Sequence, residues 1–213
     1  MRDAYFNRAE VSNSDLGALE KYFIPKEQVG DIEAAYRFGT LVDAVITEPD
    51  KVNYFKLTVG DMQYTKEEFD KAKEMMKAFM RDAICDSLLK QASFQSVMSK
   101  VMEMEYQGVP FSLSVRCKWD LWMEKLKWGG DIKSTAATTQ KQFEEALEYF
   151  NYDRQRAWYM DIAKSDRDIL IGISKVNFKV FKVPIARDGE IYKRGKEKYE
   201  RLAFKHWCLF DNF

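Results

Sequence analysis

The amino-acid sequence predicts an α/β domain with a central mixed sheet covered by helices. Three observations point there. Apolar residues recur at helical spacing up to about residue 90, the pattern then changes to strand alternation and turns near Ser99, and helix, buried strand and a basic helix follow. With 213 residues, 46% of them hydrophobic, one chain can bury a single sizeable core, and one domain over 1–213 is expected.

The elements follow in order. Ser12-Asn13-Ser14-Asp15 is a capping-box pattern ahead of Leu16, Leu19, Tyr22 and Phe23, with Pro25 as the stop. A second helix is expected from about Asp31 to Thr47, carrying Ile32, Ala35, Phe38, Val42 and Ile46, with Pro49 behind it. A third starts at Thr65, with Glu68 completing a capping box, and runs through Phe69, Ala72, Met76, Phe79, Ala83 and Leu88, a stripe best read as a core face. Residues 1–95 thus form a mainly helical part. The sheet core, 96–185, opens with the alternating Val101–Tyr106, a turn at Gln107–Pro110, a long strand Phe111–Trp122 and a short strand Gly130–Thr135. Helix returns over Thr139–Ala163 with a break near Asn151, then strands at Asp168–Val176 and Lys179–Ile185. A basic helix, about Glu190 to His206, closes the chain within 186–213.

Composition excludes several chemistries. A single histidine, His206, cannot supply a two-histidine zinc motif, and Cys85, Cys117 and Cys208 cannot make a four-cysteine metal site. Their odd number and wide spacing argue against a disulfide framework and for a reducing cytoplasm. No apolar run reaches the roughly 18 residues that span a bilayer, and Met1–Val11 lacks the apolar stretch of a signal peptide. Phosphate-loop, dinucleotide and nucleophile-elbow glycine motifs are missing. If the chain is an enzyme, its chemistry must come from carboxylates, lysines and a hard metal ion.

The balance of 34 basic against 34 acidic residues hides an asymmetry: residues 1–50 carry 5 basic and 10 acidic side chains, residues 170–213 carry 10 and 5. The C-terminal set, with Lys193, Arg194, Lys196 and Arg201, could track a phosphate backbone; a solvated helix face is the plainer reading.

Asp131 and Lys133, two apart in the short strand, leave one face of the sheet. Asp120 ends the preceding strand, so pairing of the two brings two carboxylates and an ammonium together. That set suits metal-assisted phosphodiester hydrolysis, the carboxylates holding Mg²⁺ and the lysine stabilising developing charge. A solvated strand end is the alternative.

Trp119-Asp120 with Gly130-Asp131-Ile132-Lys133-Ser134-Thr135 resembles the split core of the PD-(D/E)XK nuclease superfamily, in particular the phage-type recombination exonucleases of the exonuclease VIII and lambda exonuclease kind. Four further segments are similar to that branch: Val11–Leu16, Phe38–Asp43 with Glu48-Pro49, Tyr152–Tyr159, and Lys205-His206-Trp207. The resemblance implies a restriction-endonuclease-like core in α-β-β-β-α-β order. It implies Asp120 and Asp131 as metal ligands joined by the Ile132 carbonyl, Lys133 as the catalytic lysine, and Gln155 and Tyr159 beside the site on one helical face. Ser134 and Thr135 would donate to phosphate or cap the following helix. Asp43 stands where relatives often have a histidine, and is either a hard-metal ligand or a helix acid. The upstream glutamate of the family falls on Glu103 and Glu105 or on the stretch around Gln95. The implied activity is Mg²⁺- or Mn²⁺-dependent exonuclease action on duplex DNA ends in phage or prophage recombination. Implied partners are linear DNA, a single-strand annealing protein and further copies of the chain. The alternatives are a non-cleaving DNA-end binder of the same fold and a restriction-type endonuclease.

Overall fold

The computed structural model describes residue 5 and residues 8–25 and 30–211; residues 1–4, 6 and 7 of the Met1–Val11 segment lie outside it. Helix α1 (Asn13–Phe23) starts at the expected capping box, with Ser12 and Asp15 exchanging side-chain and backbone bonds. Leu16 and Leu19 are buried, but Tyr22 and Phe23 are exposed, because the end of α1 overhangs the core. Asp31 caps α2 (Ile32–Thr47) through the Ala34 N–H. Three two-residue strands, β1 (Val52–Asn53), β2 (Thr58–Val59) and β3 (Met62–Gln63), form a small antiparallel sheet that is too short to leave an alternation in the sequence.

The third helix is two helices. α3 (Lys66–Arg81) stops at Asp82, whose carboxylate accepts the Ile84 and Cys85 N–H groups and starts α4 (Ala83–Gln91). A side chain that satisfies orphan N–H groups there competes with helix continuation. Phe79 is a core residue as expected, Met75 rather than Met76 is the fully buried methionine, Met76 being partly buried, and Ala83 is exposed.

The main sheet has the order β4-β5-β6-β7-β8. β4 (Ser93–Tyr106) and β5 (Val109–Met123) form a long hairpin closed by Gln107 and Gly108, both at positive φ, the geometry that tight hairpin turns require. Both strands extend beyond their expected limits. One face of this hairpin is exposed, so β4 carries little apolar signal before Val101. Helices α5 (Gln140–Tyr149) and α6 (Tyr152–Ala163), broken at left-handed Asn151, connect β6 (Trp128–Thr135) to β7 (Arg167–Ser174). Only the β6–β7 pair is parallel; β8 (Val180–Ala186) returns antiparallel. Helix α7 (Glu190–His206) closes the fold, followed by a π-helical turn, Trp207–Asp211.

Each sheet face has its own core. Trp119, Phe143, Trp158, Leu170 and Tyr199 pack on the face covered by α1, α5, α6 and α7. Leu41, Phe69, Phe79, Leu121, Ile132 and Ile171 pack on the face covered by α2, α3 and α4. The mixed sheet flanked by helices is the expected α/β class. Among the described residues no helix is long and apolar enough to cross a membrane, and the three cysteines are free.

The approach of α7 to α6 depends on Gly195, where a Cβ would stand 2.1 Å from the Asp153 carbonyl oxygen. Ala ordinarily gains about 1 kcal/mol over Gly in a helix, but backbone cannot yield as a side chain can. Gly195→Ala should therefore cost about 1–3 kcal/mol and lower the unfolding temperature in a calorimetric scan. An unchanged or raised midpoint would mean that the helices separate freely.

Candidate active site

The site is a fork. β5 pairs with β6 only over Leu121–Met123 against Trp128–Gly130, then the strands part. Asp120 and Asp131 stand at the start of the two prongs. The Ile132 N–H, which has no strand partner on β5, donates to Asp120 Oδ2 at 2.8 Å, so a carboxylate takes over the ladder.

The alternation of β5 inverts at Asp120. Leu113, Val115, Cys117 and Trp119 face the α6 side, whereas Leu121 and Met123 face α2 and α3. The partner strand bends at the same place. Phe94 pairs with Leu121 and Ser96 with Trp119, which sets Gln95 opposite Asp120, and Gln95 is left-handed at φ 50°. No residue is inserted, so the deformation is strain, on the order of 1–3 kcal/mol for such a backbone. The Gln95 side-chain amide donates to Thr47 Oγ1 at 3.1 Å and, at 3.5 Å, towards Asp120 Oδ1. Thr47 in turn donates to the Asp43 carbonyl at 2.8 Å. Sheet and α2 are tied together beside both carboxylates.

Asp131 is buried between two cations. Arg156 Nη1 donates to Asp131 Oδ1 at 2.8 Å, and Lys133 Nζ stands 2.5 Å from Oδ2. Arg156 also donates from Nε to Asp168 Oδ2 at 2.5 Å. Its guanidinium carbon lies 4.6 Å from the ring centroids of both Trp119 and Tyr159. Burial opposes the charge on Arg156, yet Asp168 and then Asp131 outweigh it and raise its pKa. Burial opposes Lys133 in the same way, and Asp131 and Asp120 push its pKa up. The carboxylates move the other way: burial and then Asp131 push Asp120 up to about 6, and burial and then Asp120 push Asp43 well above the usual range.

These shifts reflect a charge imbalance that suits a cation. Arg156 is shared with Asp168 and Lys133 contacts Asp131, leaving Asp43 and Asp120 crowded and under-neutralised. Hard carboxylate oxygens are the donors that Mg²⁺ and Mn²⁺ take. The residues therefore fit a divalent ion by charge and donor type, although no three His, Cys, Asp or Glu side chains among the described residues already converge as a ligand set.

The sequence profile of a PDDEXK-like domain of unknown function (DUF3799) matches residues 18–180. The chain belongs to this family. Among solved structures the fold is similar to that of a provisionally assigned exonuclease from Eubacterium rectale, with a TM-score of 0.55 at 18% identity over 88% of this chain and 70% of that one. A phage-related exonuclease from Haemophilus somnus aligns over 95% of both chains at 14% identity, with a TM-score of 0.42, too low to argue from. No curated protein matches the chain. The five-stranded mixed sheet is thus a PDDEXK, restriction-endonuclease-like fold.

Within this PDDEXK-like domain the expected residues separate into two groups. Asp43 on α2 is near enough to feel the charges of Asp120, Lys133 and Asp131, and Asp120, Asp131, Ile132 and Lys133 come together at the fork. Glu103 and Glu105 do not: they pair with Ser112 and Pro110 near the hairpin tip, eight and ten residues beyond Gln95, or about 26 Å and more at strand rise. The upstream position next to Asp120 belongs to Gln95. Gln155 has a buried, unpartnered Oε1, while Tyr159 packs edge-on against Trp119 and serves the core. Thr135 accepts the Ala137 N–H in a turn, and Thr139 rather than Ser134 or Thr135 caps α5. In the basic helix, Arg194 pairs with Asp153 and Glu148, Lys196 with Glu200 and Arg201 with Glu20. Three of the four proposed DNA contacts are therefore occupied within the chain, and among the described residues Lys193 alone of the four makes no ion pair. Arg156 was not singled out by the sequence; an arginine abutting the apolar run Ala157-Trp158-Tyr159 was the available signal.

Arg156→Leu should cost about 3–5 kcal/mol, because it leaves Asp131 and Asp168 buried without their cation. Asp43→Asn should do the opposite in EDTA and raise the unfolding midpoint, since it relieves carboxylate crowding. Added Mn²⁺ should then stabilise wild type more than the variant. A lower midpoint for Asp43→Asn in EDTA would show that the charge is already balanced.

Proposed function

We propose that this chain is a metal-dependent deoxyribonuclease that hydrolyses phosphodiester bonds at duplex DNA ends, in phage or prophage recombination. The observation that supports it most is the fork, which gathers Asp120, Asp131 and Lys133 in a domain of the PDDEXK-like family. The exonuclease assignment carried by the Eubacterium rectale protein of the same fold agrees with the reading. Asp120, Asp131 and Asp43 would hold Mg²⁺ or Mn²⁺, with the Ile132 carbonyl beside them. When bound, such an ion supplies Lewis-acid polarisation of the phosphate and acidifies water.

The protein's own groups do the rest. Lys133, charged and one-fifth exposed, is placed to stabilise negative charge as it builds on the phosphate. Arg156 is a positioning residue: it donates to Asp131 Oδ1 and fixes its rotamer from the core side. Gln95 positions Asp120 from the opposite strand. The competing reading, a non-cleaving DNA-end binder, draws on one observation: both oxygens of Asp131 already contact cations.

Digestion of end-labelled linear and circular duplexes, with Mg²⁺ and with EDTA, separates them. Wild type should degrade the linear substrate only with metal, and Asp131→Ala should abolish cleavage while leaving a cooperative fold. Lys133→Ala should lower single-turnover cleavage by orders of magnitude with DNA binding only modestly weaker. Equal cleavage by Lys133→Ala and wild type would remove the lysine from the chemistry. Metal-dependent cleavage of circles at the same rate would make the protein an endonuclease.

A further inference from the structure

An uninterrupted row of aromatic rings leaves the fork on its open side. The Lys133 Nζ lies 5.3 Å from the centroid of the Tyr152 ring. Tyr152 stacks on Phe150 at 5.6 Å with 29° between the planes, and Phe150 meets Tyr149 edge-on at 4.8 Å. Tyr36 borders the row from α2. It stands seven residues before Asp43 and so on the same helical face, near enough to Tyr152 to raise its pKa, after burial and Asp131 and against Lys133.

The outer rings are not core residues, although Tyr152 packs against the α6-side core. Tyr36 is 70% exposed, Tyr149 63% and Phe150 57%, and Tyr152 is half-buried. Apolar side chains scattered singly on a surface need no explanation, whereas a contiguous aromatic patch marks a binding site. The buried contacts of α5 and α6 come from Phe143, Leu147, Ala157 and Trp158, with Tyr152 at their edge, and do not involve Tyr149 or Phe150. The left-handed Asn151 between the helices turns the chain so that Phe150 and Tyr152 lie on one side of the junction.

We propose that Tyr149, Phe150 and Tyr152, with Tyr36 opposite, form a stacking platform for unpaired nucleobases of the strand whose phosphate reaches Lys133. The inference rests on the nuclease reading of the Lys133 site and adds what that reading lacks: the substrate strand is single-stranded where it meets the fork. Two features select this occupant over a second copy of the chain or an apolar peptide. The row ends on an ammonium, which complements the phosphate next to a stacked base. Its exposed rings also offer flat faces to solvent, and stacking tolerates every base because each has a π-face. Arg194, Lys196, Lys198 and Arg201 of α7 pair with intramolecular carboxylates, so stacking supplies grip that a broad positive face would otherwise give.

The test is fluorescence anisotropy in EDTA with two labelled oligonucleotides of equal length, one a mixed-sequence single strand and the other fully abasic. Wild type should bind the base-bearing strand more tightly. Phe150→Ala and Tyr149→Ala should each weaken that binding on the order of tenfold and leave the abasic strand unchanged. Both side chains are exposed, and thermal melts of the two variants confirm that they fold. Equal wild-type affinity for the two strands, or variants that bind like wild type, overturns the platform. Wild-type digestion of linear duplex with Mg²⁺ is measured alongside. Cleavage without base preference sinks the platform alone, whereas base preference without cleavage supports the platform and sinks the nuclease reading. A wild-type dimer in sedimentation that Phe150→Ala dissociates assigns the patch to self-association and overturns the proposal.

Discussion

The site depends on one hydrogen bond, from the Ile132 N–H to Asp120 Oδ2. Where β5 leaves β6, a buried N–H loses its ladder partner, and an unpaired donor in the interior is expensive. A charged acceptor satisfies it with a stronger bond than a carbonyl would. The strands can separate only because Asp120 is there, and Asp120 can be there only because β5 inverts its faces at that residue. With strict alternation from Leu113 through Met123, residue 120 would point away from the α6 side and Leu121 towards it. The inversion needs a matching deformation in β4, which Gln95 provides at φ 50°. Three residues on three strands thus form one mechanical unit, and the strain sits on the residue that also bonds to Thr47 and reaches towards Asp120.

Behind the fork, Arg156 binds the prong bearing Asp131 to the start of β7. A buried ion pair gives little net stability against a well-packed apolar replacement, since desolvation consumes most of the Coulomb gain. Its value here is geometric. The guanidinium is planar, and Trp119 and Tyr159 flank it at 4.6 Å, so it cannot rotate away from the two carboxylates. Gly129 contributes from the other direction: a Cβ there would enter the Trp119 ring at 2.1 Å, so the indole lies against bare backbone. Asp131 is held in a rotamer fixed by aromatic packing, a rigidity that loops seldom supply.

Most of the fold was legible because its elements carry strong local signals. Ser12–Asp15, Asp31 and Thr65–Glu68 announce helix starts through caps that the structure uses, and β7 is apolar enough to read as buried on both faces. What escaped depends on tertiary context. Asp82 reads as an ordinary helical residue until its carboxylate captures two N–H groups. Glu103 and Glu105 share a strand face as well as any catalytic pair does, and only the register with β5 shows them to be remote. Asp120, Asp131 and Lys133 were legible through spacing and resemblance, and the stretch around Gln95 as one of two alternatives, but Arg156 was not, because it acts across space on carboxylates that sequence places elsewhere.

The charge asymmetry of the chain is resolved by folding. Glu20, from the acidic N-terminal part, receives Arg154 and Arg201, and Asp153 receives Arg194 and Lys198. Lys182 on β8 reaches Asp82 between α3 and α4. Cations that look like a nucleic-acid-binding stripe in the sequence thereby become fasteners between α1, α6, α7 and the sheet. Exposed pairs of this kind contribute little individually, but each lowers the positive potential available to a phosphate backbone. At the fork the Lys133 ammonium is already paired with Asp131, and Asp43 and Asp120 leave the site short of positive charge that a divalent ion would supply, in a field screened within about 8 Å at physiological salt. A polyanion would then meet one metal-dependent point rather than a basic face. Discrimination then falls to what surrounds that point, and in this molecule the surroundings are carboxylates on one side and aromatic rings on the other.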